Sequence, residues 1–269
     1  MLTAVSAHVE PSPAPSPRPD RASPSYLAAL SSALRWDPER EETYLQLPSF
    51  PELRLVPFRE GIEDELVELF NHPVIGQRLY RLPYPFPRSF AEEMLSSSLS
   101  AHRPLLAHLR ALLPSSPDPT QPILPVSGES ILGFPFKSLY DTSKGKIVGD
   151  MHLGITSNAF DEYPVTPEEM AKLPASQQVH DFGYVLDPAY HGRGVMTEVV
   201  AVMIDSWAKP WMGIGKVGAY IESDNLGSIA VMRKNGLALT GVTMTDWPQE
   251  KGGGQRETGR YERVLVAQV

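Results

Sequence analysis

The sequence predicts a mixed α+β (α/β) domain, and three observations carry that expectation. Residues 181–207 read as a strand, a glycine loop and a helix in immediate succession. Residues 216–236 repeat the strand–helix order, and short apolar runs at 53–58, 131–136, 146–153, 237–244 and 260–267 are bounded by turn residues. With 42% hydrophobic residues in a chain of 269, there is enough apolar surface for a full core.

The chain opens on Pro-, Ser- and Ala-rich sequence containing EPSPAPSPRPDRASPS. Such a stretch cannot bury enough apolar surface to offset its ordering entropy. Residues 1–50 are therefore expected to be a largely disordered extension, with a short helix near 26–36 that could dock on the domain. Order is expected from about Pro51, and a single domain over 51–269.

Within that domain, residues 53–58 form the first strand and Gly61 separates it from a helix over 62–70, with Ile62, Leu66, Val67 and Phe70 on one face. Prolines 83, 85 and 87 hold the next stretch extended. Ser89 followed by Glu92 matches a capping box opening a helix over 90–113. A proline-rich insertion, 114–128, precedes two strands, 131–136 and 146–153, joined by the turn Asp141-Thr142-Ser143-Lys144-Gly145. A second insertion, 156–178, contains Thr166-Pro167-Glu168-Glu169, a helix start with proline at its first position.

In the central stretch, Tyr184, Val185 and Leu186 end a strand at Asp187-Pro188, because proline has no donor for the ladder. After His191-Gly192-Arg193-Gly194, apolar residues recur at 195, 196, 199, 200, 203, 204 and 207, one face of a helix expected to stop at Lys209, before Pro210. A helix start offers N–H groups without partners at the positive end of the macrodipole, and glycines let an anion reach them. The loop is thus a candidate phosphate cradle; the plainer alternative is a tight strand-to-helix turn. On the next strand, 216–222, Val217, Ala219 and Ile221 share one side, and Tyr220 and Glu222 the other. Asp224 or Asn225 caps the following helix, Gly236 stops it, and Gly252-Gly253-Gly254 lies between the last two strands.

Composition excludes several classes of function. There is no cysteine, so disulfides, thiolate metal sites and a cysteine nucleophile are ruled out. The seven histidines include no HExxH pair, and no metal is expected. A net charge of −8 argues against nucleic acid and is compatible with a cationic amine substrate. No apolar run approaches the roughly 20 residues of a membrane helix, so no membrane partner is expected. The N-terminus lacks an apolar signal core, which leaves cytoplasm or nucleus as the expected compartment.

The block from 181 to 237 resembles the GNAT acyltransferase superfamily, whose Arg/Gln-x-x-Gly-x-Gly/Ala loop binds the pyrophosphate of coenzyme A. Gly183-Tyr184-x-Leu186-Asp187-Pro188-x-Tyr190-x-Gly192-x-Gly194 is similar to the Rim-type branch, acetyltransferases of ribosomal-protein N-termini and their relatives. Ala219-Tyr220-Ile221-Glu222-Ser223-Asp224-Asn225 and the run through Gly236-Leu237 look like that branch's next strand and its Asn-x-x-Ser helix. The openings at 53–73 and 82–95 resemble it too, so the likeness spans about 52–267, broken by the two insertions.

The resemblance implies a mostly antiparallel twisted sheet, splayed at strands 4 and 5 of the family, with helices on both faces. It implies acetyl-CoA as co-substrate, no metal, and an acetyl-CoA-dependent N-acetyltransferase in which a primary amine attacks the thioester directly. A non-catalytic acyl-CoA-binding module is the alternative. By position, the coenzyme would be held by backbone N–H groups of His191, Gly192, Arg193, Gly194, Val195 and Met196, with Val185 or Leu186 as the oxyanion donor. Asn225 and Ser228 would face the coenzyme arm, Ser228 protonating or orienting the thiol, although local capping is the competing role. Glu222 and Asp246 are the candidate bases. Ala189 replaces the family's Arg/Gln, and Met232 stands where many members carry a tyrosine. The expected partner is an amine, small or at a protein N-terminus or lysine, and the protein a monomer or homodimer.

Overall fold

The computed structural model describes residues 20–156 and 166–265. Among them, nine strands form one sheet in the order β1-β2-β3-β4-β5-β6-β7-β9-β8. The strands are β1 Leu34–Asp37, β2 Glu42–Gln46, β3 Leu53–Val56, β4 Ser138–Asp141, β5 Lys146–Ile155, β6 Val179–Leu186, β7 Lys216–Glu222, β8 Ala238–Asp246 and β9 Gln255–Val264. Neighbours run antiparallel except β6 and β7, which are parallel.

Helices lie on both faces, as the alternation of side chains along a strand allows. Val185 and Ile147 point into a cluster with Phe70, Phe86 and Leu95 from α2 Glu63–Asn71, the short α3 Pro73–Gly76 and α4 Arg88–Ala111 with its preceding loop. Leu186 and Val148, one residue along, point into the larger core under α1 Pro24–Ser31, α6 Val195–Val202 and α7 Leu226–Lys234. Trp207 and Trp211 anchor that core, their rings stacked with centroids 5.5 Å apart and Phe136 edge-on to Trp207. No helix among the described residues is long and apolar enough to cross a membrane.

Four expectations are corrected here. Order begins well before Pro51. Ser23 caps α1 by accepting from the Tyr26 N–H, Pro24 opens the helix, and β1 and β2 extend the sheet. The apolar residues of 26–47 are few, but Tyr26, Leu30, Leu34, Leu45 and Leu47 are all buried against a surface the domain supplies. Residues 1–19 lie outside the described ones.

The run 131–136 is not a strand. Pro135 cannot donate to a ladder, and Lys137 N–H turns back to its carbonyl, so pairing starts at Ser138. The capping box at Ser89 and Glu92 does not form: α4 starts two residues earlier, with Pro87 as N-cap and no side-chain cap.

Finally, Pro210 does not end the central helix. It continues as a π-helix over Met203–Met212, stopped by Gly213 at φ +64°. Pro210 costs one main-chain bond, which the burial of Trp207, Trp211 and Met212 offsets. The first insertion reaches the β1 edge, Ile123 N–H donating to Leu34 O. The second insertion's helix start does form, as α5 Pro167–Met170 with a complete Thr166–Glu169 capping box.

Candidate active site

β6 and β7 pair over only three residues: Val179 with Lys216, His180 with Val217 and Asp181 with Gly218. Past that point each strand follows its other neighbour. β6 stays in register with β5 as far as Leu186, and β7 with β9 as far as Glu222. The parallel pair therefore splays, leaving main-chain groups of β6 without a β7 partner.

Register decides which groups those are. Asp187 N–H donates to Val148 O on β5, and Thr156 N–H to Val179 O, so odd-numbered residues of β6 turn their polar groups towards β5. Val185 is one of them, opposite Asp150, and its N–H is not available to the cleft. Tyr184 and Leu186 face the splay. Of the two expected oxyanion donors, Leu186 is the one whose N–H faces the opening, while its carbonyl accepts from His191 Nε2 at 2.9 Å.

The glycine loop follows at once. Asp187 Oδ1 accepts from Ala189 N–H at 2.9 Å, and His191 N–H closes on Pro188 O at 3.0 Å. With His191 committed, the free donor set begins at Gly192. Gly192 and Gly194 have φ of +71° and +87°, backbone that favours glycine. Among the described residues, the N–H groups of Gly192, Arg193 and Gly194 meet no main-chain acceptor outside helices and strands. Val195 and Met196 add the unpaired N–H groups of the first turn of α6. A Cβ on Gly192 would meet nothing within 4 Å, so the loop surface is open. Arg193 and Lys144 lie over the Tyr190 ring at 5.4 and 4.5 Å, and Tyr190 Oη donates to Asp141 at 2.5 Å. Two cations, Arg193 and Lys144, and two carboxylates, Asp141 and Asp187, thus surround the Tyr190 ring at the foot of the loop.

On α7, Asn225 Oδ1 accepts from Ser228 N–H at 3.1 Å, a helix cap. The capping role weighed for Ser228 therefore falls to Asn225, and the Ser228 hydroxyl lies by the Tyr184 phenol. Burial pushes that phenol's pKa up, and Ser228 offsets part of the shift. Met232 is fully buried.

Glu222, expected as a base, has Oε2 2.8 Å from Arg256 Nη1 and Oε1 3.5 Å from Arg78 Nη1. Each oxygen therefore faces an arginine. Arg78 also pairs with Asp224, Trp247 Nε1 donates to Gln77 O, and Lys251 reaches the carbonyls of Leu79, Tyr80 and Leu82. Glu222 is the centre of a clasp joining β7, the loop after α3 and the β8–β9 hairpin. Asp246 stands on the edge strand, exposed, accepting from Gln255 Nε2 at 3.1 Å.

One polar group was not anticipated from the sequence. On the α4 side of β5, Lys137 Nζ lies 3.1 Å from His152 Nδ1, and Ser98 Oγ 3.3 Å from His102 Nδ1. Asp150 Oδ2 is shielded from solvent without a hydrogen-bond partner. Burial raises the Asp150 carboxyl pKa against the opposing charge of Lys137, and lowers that of Lys137 itself. Asp150 sits opposite Val185 and His152 opposite Gly183, one strand from the splay. The available signal was Asp150 and His152 two apart on an otherwise apolar strand.

Comparison with known proteins covers the same region. Residues 155–238 match the model of the acetyltransferase (GNAT) domain family. The chain is 30% identical over 93 residues to the "Probable N-acetyltransferase YjcK" of Bacillus subtilis (strain 168), which is 35% of this chain and 51% of that relative, so the chain matches about half the relative's length. Among solved structures, the ribosomal-protein-S5-alanine acetyltransferase of Vibrio fischeri superposes with a TM-score of 0.54 at 15% identity, over 80% of this chain and 93% of that one. The yncA acetyltransferase of Salmonella typhimurium, solved with acetyl-CoA, gives 0.51 at 15% identity over 81% and 96%. The spermidine N-acetyltransferase of Vibrio cholerae gives 0.51 at 13% over 80% and 96%. These three likenesses are likenesses of fold.

Proposed function

We propose that this chain, whose residues 155–238 match the acetyltransferase (GNAT) domain family, is an acetyl-CoA-dependent N-acetyltransferase that moves the acetyl group to a primary amine in a ternary complex. The observation that carries this reading is the pairing of an opened β6–β7 cleft with a donor-rich loop at the start of α6. The loop N–H groups from Gly192 to Met196 grip the coenzyme diphosphate. The cleft lies next to them, where the thioester arm would run.

In this mechanism the Leu186 N–H polarises the thioester carbonyl and holds the oxyanion that forms when the amine nitrogen attacks. As the carbon–sulfur bond breaks, Ser228, beside Tyr184, delivers the proton that the thiolate needs. The ammonium formed on attack must lose a proton. Glu222 is occupied and Asp246 is remote in strand order, so we assign this role to Asp150, whose Oδ2 is unengaged and whose raised pKa makes it the stronger base. The larger core fills the α6 side of the sheet, so the amine approaches from the α2–α4 side.

An amine acceptor is supported by the family and by the negative charge of the chain. The test is titration with acetyl-CoA, then free-thiol release across a panel of small amines and peptide N-termini, with products read by mass spectrometry. Thiol release that depends on an amine is the expected result. Binding without turnover on any amine would leave a coenzyme-binding module.

A further inference from the structure

The segment ahead of α1 touches the glycine loop. Arg21 Nη2 donates to Gly194 O at 3.3 Å, across 173 positions of sequence. That same carbonyl accepts from Glu198 N–H, the first bond of α6, so the guanidinium sits where the helix begins. The contact uses one of five guanidinium N–H donors. Among the described residues no ion pair joins Arg21 to a carboxylate, although its charge and that of Glu198 both act on Tyr26, and the loop N–H groups beside it meet no main-chain acceptor outside helices and strands. A Cβ added at Gly194 would come 4.0 Å from Arg21 Nη2, whereas Gly192 faces open space; the guanidinium borders the open surface without filling it.

Its position is held from behind. Tyr26 Oη donates to Glu198 on α6 at 3.2 Å, Ser206 Oγ donates to Leu30 O, and Tyr26 and Leu30 belong to the main core. Ser23 takes the Asp20 carbonyl with its hydroxyl at 2.8 Å and caps α1, which fixes the turn carrying Arg21.

We propose that Arg21 is a ligand for the diphosphate of the bound coenzyme, delivered to the loop by the N-terminal segment. The inference rests on the coenzyme reading of that loop. The contact with Gly194 O places the guanidinium beside the loop and leaves its other donors for an anion held on the N–H groups of Gly192–Val195, and a guanidinium suits phosphate oxygens by charge and by fork geometry. The position corresponding to the family's loop cation is Ala189, which has nothing to offer an anion.

The test uses the full chain and three probes: acetyl-CoA, 3′-dephospho-acetyl-CoA and S-acetylpantetheine, which has no phosphate. Arg21→Gln keeps most of the stem and removes the charge; Arg21→Lys restores charge without the fork. Calorimetry should show Arg21→Gln weakening both nucleotide-bearing probes about ten-fold or more, with Arg21→Lys between it and wild type. S-acetylpantetheine should bind all three proteins equally. Unchanged acetyl-CoA affinity in both variants, or an equal loss for S-acetylpantetheine, overturns the assignment. A loss confined to acetyl-CoA would place Arg21 on the 3′-phosphate and overturn the diphosphate role. If wild type fails to bind acetyl-CoA at all, the coenzyme reading itself falls.

Discussion

The phenol of Tyr26 donates to the Glu198 carboxylate at 3.2 Å, although 172 positions separate them, and the other Glu198 oxygen accepts from Ser49 N–H at 2.6 Å. Glu198 is completely buried on α6, so each donor matters. Tyr26→Phe should lower stability by about 1–3 kcal/mol, with the whole transition moving as one. Denaturant unfolding followed by circular dichroism checks this. A melting curve identical to wild type would mean that α1 is not part of the cooperative unit.

Gly192→Val addresses the loop. At φ +71° a β-branched residue is strained by roughly 1–2 kcal/mol, yet a Cβ there would meet nothing within 4 Å. The fold should persist, with a small drop in melting temperature, while acetyl-CoA binding is lost. Wild-type affinity in this variant would show that the loop does not hold the coenzyme.

Ser228 and Asn225 separate by type of effect. Asn225→Ala removes the cap of α7 and should cost about 1 kcal/mol of stability. Ser228→Ala should leave stability nearly unchanged and reduce turnover more than coenzyme affinity. A full rate in Ser228→Ala would end its role as proton donor.

The two carboxylates Asp150 and Glu222 predict opposite profiles. Asp150→Asn removes an unengaged, desolvated acid and should cut kcat roughly 10²- to 10⁴-fold without loss of stability. Glu222→Gln loosens the grip of Arg78 and Arg256, and should lower thermal stability with a smaller effect on kcat. If the two variants exchange these behaviours, the base is Glu222.

His180 gives a pH test. It is 4% exposed, and burial pushes its pKa from 6.5 down to about 4. The unfolded chain therefore binds a proton in a window where the folded chain does not. Stability is full above about pH 6.5 and falls as pH drops towards 4, by roughly 2 kcal/mol between pH 7 and 5. Urea titrations at those two pH values should show this slope in wild type and a shallower one in His180→Gln. Equal slopes would mean that His180 is charged in the folded protein.

Much of this is legible in the residues themselves. The strand at 216–222, the helix start at Thr166 and the left-handed stop at Gly236 all appear where residue chemistry placed them, because each depends on neighbours within a few positions. The errors share a cause as well. Pro135 and Pro210 were misjudged in opposite directions, since a proline breaks a ladder that needs its N–H but is carried by a helix whose flanking tryptophans are buried. Docking of residues 24–46 depends on apolar surface contributed by α6 and the π-helix, far along the chain.

By itself the sequence determined local matters: the glycine loop between strand and helix, the absence of cysteine chemistry, the Asn225–Ser228 helix start and the likeness to an acyltransferase family. Tertiary structure alone decided that Leu186 and not Val185 turns its N–H to the cleft, that Glu222 is enclosed by two arginines, and that Arg21 reaches Gly194. The physical reason is range. Backbone conformation follows from adjacent residues, whereas strand parity and ion pairing follow from the register of segments tens to hundreds of positions apart.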